Sequence, residues 1–318
     1  MIAAIALLCY AVTVGLLMPR LLPRLWPSDR APRCKITLLL VLTWSLPLAA
    51  VTAGLALGVT LFATLVRADS TADNCAARLP VGHTNPTGPV LGAVGIAVAV
   101  AVVLRLAYCA FAVYVTARVR SRHHAAVLGL CGRTDRVLDA TVIEHERAAS
   151  YCLPGRHGRI VVTSQAIRLL SAPQLAAVLA HERAHQRGRH HLLLGLTGTL
   201  RRAFPWIGML RCTEREVRRL VELLADDAAA RDHGRLAVAS ALTVIGTGHV
   251  PGGALGVGGP REPGPLARIT RLASPATRMD LRHTALTAAA VVATVVLPFA
   301  LAMCSIAVLM HQCTPTRG

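Results

Sequence analysis

Charge and aromatic rings are both scarce in this chain of 318 residues: 16% of it is charged and 3% aromatic. So little charge excludes an ordinary soluble domain, which needs more of it on its surface. The net charge of +18 invites a nucleic-acid reading. The shortage of aromatic residues, and arginines spread through helices and loops rather than gathered in one module, argue against nucleic acid as a partner. Nine cysteines include no C-x-x-C pair, which excludes a cysteine-rich zinc fold.

What the chain has instead is apolar residues, 54% of the total, with a mean hydropathy of +0.53. They fall into long blocks, so the lipid bilayer is the first partner expected. Four spans are expected, at about 1–18, 36–66, 90–117 and 284–310. The first block lacks a basic start and a small-residue cleavage site, and reads as a retained span rather than a signal peptide. Between the first two blocks, Arg20, Arg24, Arg30, Arg33 and Lys35 face one acid, Asp29, which puts that loop in the cytoplasm. The charges of the next loop cancel, placing it outside. Arg105 interrupts the third block amid Tyr108, Phe111 and Tyr114, and snorkelling to the inner interface accounts for it. The expected architecture is a mainly α membrane protein with three spans over 1–117. A cytoplasmic α+β domain over 118–283 sits between the third and fourth spans, and 311–318 form a short outer tail.

The chemistry centres on Ser171 to His191. Ser171 and Gln174 make a capping box, Pro173 suits a first helical turn, and Leu175, Val178 and Leu179 form an apolar stripe. His181 and His185 are then one turn apart on one face, where both imidazoles reach a single tetrahedral ion. Glu182 beside them supplies a carboxylate suited to taking a proton from water. The apolar residues before His181 argue that it enters from a buried turn, and a buried histidine needs a partner or an ion. By contrast His145-Glu146-Arg147-Ala148-Ala149 begins the same way but offers no second histidine, and reads as structural. Upstream, Thr141 to Cys152 and Arg159 to Thr163, joined by Pro154-Gly155-Arg156-His157-Gly158, read as a hairpin whose edge can hold an extended peptide. Leu192 to Leu200 is too short to span, and rests on the domain core or the membrane surface.

A catalytic zinc needs a third protein ligand. Thr213 to Arg231 is a second amphipathic helix, with Glu222 and Asp226 one turn apart opposite its apolar side. Glu222 as ligand with Asp226 supporting a ligand histidine is one sensible arrangement. His190, His191, Glu214 and Asp226 compete for the same place, and surface ion pairing with Arg215, Arg218 and Arg219 is the structural alternative.

The strand pair, His181-Glu182-Arg183-Ala184-His185 and Glu222-Leu223-Leu224-Ala225-Asp226, in that order, resemble the gluzincin membrane peptidases of the BlaR/MecR antirepressor type. The likeness to HtpX and the CAAX prenyl proteases is more distant. The resemblance spans essentially the whole chain, including the four-span layout. It implies a zinc endopeptidase with one Zn2+ per chain held by His181, His185 and Glu222, Glu182 as general base and Asp226 as support. Its implied substrate is a cytoplasmic protein such as a transcriptional repressor. Two departures stand out. The antirepressor type carries a penicillin-binding sensor after its last span, whereas Gly318 ends this chain, which argues against direct β-lactam sensing. The family also often has an acid where His190 stands.

Two other functional classes compete with the peptidase. A receptor or scaffold would keep the metal fold and signal by binding. An intramembrane protease would need Arg183, Arg187 and Arg189 inside the bilayer, at a large cost. The Gly/Pro-rich stretch 252–265 reads as a linker, with a cover over the cleft or a self-cleavage site as alternatives. Cys75 and Cys313 are the cysteines expected on the oxidising side, and a disulfide between them is the expectation. A thiol count that rises by two on reduction checks it, and an unchanged count rejects it.

Overall fold

The computed structural model describes residues 2–25, 31–68, 87–153, 158–245, 255–256 and 265–274, with isolated positions between 285 and 300. Cys75, Cys313, the outer tail and most of the expected fourth span lie outside the described residues, as does most of 252–265.

Three long helices come first: α1 (Ile2–Leu25), α2 (Pro32–Ala68) and α3 (Thr87–Cys131). Two stretches among the described residues, Pro32–Gly58 and Gly88–Cys131, are long and apolar enough to cross a membrane. The apolar part of α1, Ala4–Met18, is shorter. Both ends of the first expected loop are helical instead. α1 continues past Pro19 to Leu25, and α2 already begins at Pro32, where a proline suits the first turn because its missing N–H has no helical partner. The third helix also runs straight through Arg118 to Cys131, because no glycine or proline falls between Gly95 and Gly129, and it ends only before Gly132. Its 45 residues span about 68 Å, far more than the thickness of a bilayer. Gly54 and Gly95 bring α2 and α3 together: a Cβ on Gly54 would fall 2.4 Å from the Gly95 carbonyl oxygen.

The sheet follows: β1 (Gly132–Asp135), β2 (Ala140–Ile143), β3 (Ser150–Leu153) and β4 (Arg159–Thr163), with β5 (Leu255–Gly256) added from far along the chain. The order is β1-β2-β4-β3-β5. The expected hairpin is β3–β4, antiparallel, while β2 runs parallel to β4 on its other side. Tyr151 and Cys152 on the outer edge of β3 pair with Gly256 and Leu255. Part of the edge expected to receive a peptide is thus covered by the chain itself.

Beyond the sheet come α4 (Ser164–Leu169), α5 (Ala172–Arg187), α6 (His190–Ala203), α7 (Gly208–His233), α8 (Arg235–Ile245) and α9 (Pro265–Ala273). Ile160 and Val162 of the sheet pack with Ala177 and Val178 of α5, Ala229 of α7, Val238 and Leu242 of α8 and Leu272 of α9. A second packed layer joins this domain to α1 and α2. In it Ile36 and Leu39 of α2 pack on Val217, Leu220 and Val221 of α7, and Leu38 and Leu42 on Leu200 of α6 and Leu210 of α7. Arg105 does not simply snorkel: its Nε donates to the Ala203 carbonyl at the end of α6, and its guanidinium lies over Trp206.

One ion pair marks the α2–α7 contact. Lys35 Nζ lies 2.8 Å from Glu216 Oε1, and Arg219 forks onto the same carboxylate. Burial alone would raise the Glu216 pKa, but the two cations outweigh it and bring it from 4.5 down to about 2. The stabilisation is therefore present above pH 4.5 and is lost as pH falls toward 2. Glu216→Gln is expected to cost about 1–2 kcal/mol at neutral pH, discounted for partial exposure. Thermal unfolding in detergent should show that gap closing on acidification, and a gap unchanged by acid would reject the account.

Candidate metal centre

α5 starts where its local chemistry directs, with the Gln174 side-chain oxygen accepting the Ser171 N–H at 2.9 Å. Its apolar face, Ala177, Val178 and Leu179, is buried in the domain core. The next turns carry His181, Glu182 and His185 into the same interior, where they are 2%, 0% and 1% exposed. α7 crosses α5 with Val217, Leu220 and Val221 held against α2, and this brings Glu222 and Asp226 to the imidazoles.

His181 Nε2 and His185 Nε2 are 3.1 Å apart, and Glu222 lies 3.5 Å from the first and 3.4 Å from the second. Tetrahedral zinc with ligand bonds of about 2.0–2.1 Å keeps its donors about 3.3 Å apart. The three side chains could therefore hold one divalent ion. The outer nitrogens are committed too. His181 Nδ1 donates to Asp226 Oδ1 at 3.0 Å, and His185 Nδ1 lies 2.9 Å from His190 Nδ1. With both Nδ1 atoms protonated, two Nε2 lone pairs and a carboxylate converge on one point, which demands a cation.

Without an ion a proton meets that demand. Burial lowers the His181 pKa, but hydrogen bonds to Asp226 and Glu222 overcome it and raise it to about 10. His185, where burial dominates, falls to about 3, and His190 falls to about 4 for the same reason. Glu222 is held at about 2: burial opposes its charge, and His185, His181 and Arg268 outweigh the burial. The Asp226 carboxyl is likewise held well below the usual range against its burial, chiefly by Arg268 and His181.

Of the residues competing for the third place, only Glu222 joins the histidine pair. Asp226 stands behind His181, and His190 behind His185. Glu214 pairs with Arg201 on α6, and His191, half-buried, is not in the cluster. Sequence reasoning missed Arg268. This fully buried arginine of α9 forks onto Asp226 at 2.8 and 2.6 Å and reaches Glu222 Oε2 at 3.0 Å. Its one sequence signal is its place on the apolar face of α9, one turn before the buried Leu272. Cys152 of β3 was missed as well. Its thiol is pushed up, first by burial and then by the nearby Glu182 and Glu222.

A histidine pair and a glutamate on crossed helices, with a buried carboxylate beside them, are a donor set that could hold a divalent ion. Residues 116–214 match the model of peptidase family M48, which supports a metallopeptidase. The matched stretch carries His181, Glu182 and His185 and ends before Glu222. The match does not extend to the BlaR/MecR type. No curated protein and no solved structure matches the chain.

Removing Arg268 would leave two buried carboxylates with only the His181 imidazolium to offset them in the metal-free chain. Arg268→Met is expected to lower the stability of the metal-free chain by about 3–5 kcal/mol, with part recovered on adding zinc. Thermal melts with and without metal measure this, and an unchanged metal-free melt would show that Arg268 contributes nothing.

Proposed function

We propose that the protein is a zinc endopeptidase of the cell membrane, a multi-pass protein that cleaves a cytoplasmic protein substrate. The observation that carries this reading is the mutual spacing of His181, His185 and Glu222 with Glu182 buried on the same helix. In it, His181, His185 and Glu222 hold one Zn2+ and Asp226 orients His181. When bound, the ion supplies Lewis acidity, polarising a scissile carbonyl and acidifying water. Glu182 takes the water proton and passes it to the leaving amine. β3 holds the substrate extended along its outer edge, where the peptide displaces β5 from Tyr151 and Cys152.

The cytoplasmic side follows from the basic residues near the first loop and at the end of α3, Arg118, Arg120 and Arg122. Four spans, the fourth over 284–310, complete the proposed topology. A transcriptional repressor is the leading substrate class, on the strength of the resemblance to the antirepressor type alone.

Glu182→Gln is expected to lower cleavage by about 10²–10⁴-fold while zinc content stays the same. Protein fragments compared between cells making the wild type and the variant would identify substrates. Unchanged cleavage by the variant would exclude Glu182 as the base. Zinc uptake with no fragments from either protein, and a partner captured equally by both, would establish the receptor reading instead.

A further inference from the structure

His190 has no part in the reading above, yet the backbone is built to hold it in place. It is the first residue of α6 and is 5% exposed, with its ring standing at 89° to that of His185. Two residues separate it from the end of α5, and both are unusual. Arg189 is left-handed at φ 47°, a conformation that strains a residue with a side chain. Gly188 leaves no room for a Cβ, which would fall 2.3 Å from His190 Nε2 and 2.6 Å from Cδ2. The turn is therefore tight enough to fold the His190 ring back over the end of α5.

That return brings His190 Nδ1 to 2.9 Å from His185 Nδ1. His185 Nε2 faces Glu222 and His181, so it offers a lone pair to an ion only when the ring proton sits on Nδ1. His190 Nδ1 then has to accept, and its own proton lies on Nε2. The two histidines of α5 are supported differently. His181 leans on a carboxylate whose charge is shared with Arg268, and His185 leans on an imidazole.

We propose that His190 is a positioning residue of the metal centre: its Nδ1 accepts the His185 Nδ1 proton and so fixes the tautomer and ring orientation that present His185 Nε2 to zinc. It is not itself a ligand, because its near nitrogen is spent on the far side of the His185 ring. The inference rests on the zinc reading, and its test separates the two.

The test uses the full chain in detergent, stripped of metal. Zinc affinity is measured by competition with a chromogenic chelator, and the absorption spectrum of the Co2+ form reports ligand geometry. His190→Asn puts a carbonyl oxygen where Nδ1 stands and is expected to bind zinc within about threefold of wild type. His190→Gln moves the carbonyl one bond further out, and His190→Leu offers none. Both are expected to weaken zinc binding by about 10–100-fold and to alter the Co2+ spectrum. Gly188→Ala, which displaces the His190 ring without removing a polar group, is expected to behave like His190→Gln.

If His190→Leu does not fold, the Asn and Gln pair decides. Equal affinity of the Asn and Gln variants, or wild-type affinity and spectrum in the Leu variant, would overturn the proposal. So would a Co2+ spectrum that lost one nitrogen ligand in every His190 variant, since His190 would then be a ligand. A wild-type chain that takes up no zinc would instead overturn the zinc reading beneath it.

Discussion

A buried carboxylate cannot stand alone in a protein interior, and α7 carries two of them one turn apart. Asp226 is satisfied by His181 of α5 on one side and Arg268 of α9 on the other, and Glu222 is shared between the imidazoles and the same arginine. An unpaired charge at this depth would cost several kcal/mol, so the three helices have to meet for any of them to be stable there. The second charge pair between α7 and α9, Asp227 with Arg271, and the Arg235 side chain on the last carbonyls of α9 hold the same junction from outside. The polar cluster thus closes the domain while it arranges the donors for an ion.

The opposite side of α7 meets the long apolar helix α2. Val217, Leu220 and Val221, within the five residues before Glu222, pack on Ile36 and Leu39 near the start of α2. Lys35 adds its ion pair to Glu216 at the same contact, and Arg105 of α3 ties the end of α6. The donor cluster therefore sits within a helical turn or two of residues belonging to a candidate membrane span. The position of α2 and the aim of Glu222 are linked through one rigid helix. The sheet stands on the other side of α5, where β3 brings Cys152 beside Glu182.

Local spacing explains which parts of the site were legible beforehand. His181 and His185 share a face because four residues make one helical turn, and Glu222 and Asp226 do so for the same reason. The β3–β4 pair was legible because a Pro-Gly pair in the sequence separates two runs of suitable residues. The partners across the chain were not. Arg268 lies 42 residues from Asp226, and its own segment reads only as a short amphipathic helix. The parallel pairing of β2 with β4 and the short β5 bridge depend on contacts that no local pattern encodes. Helix ends were also misjudged where charge was taken for a boundary. Arginine is a good helix former, so α1 and α3 continue through their basic stretches.

The sequence by itself determined the long apolar helices, the helix that carries two histidines and a glutamate on one side, and a second helix with two acids a turn apart. Each of these follows from periodicity within a few turns. Only the tertiary structure decided that Glu222, rather than Glu214, His190, His191 or Asp226, completes the cluster. It alone brought a buried arginine from α9 to the two carboxylates and gave His190 a partner in His185. These outcomes depend on how helices cross and on which buried charges find each other, and that balance is settled only when the whole interior is packed.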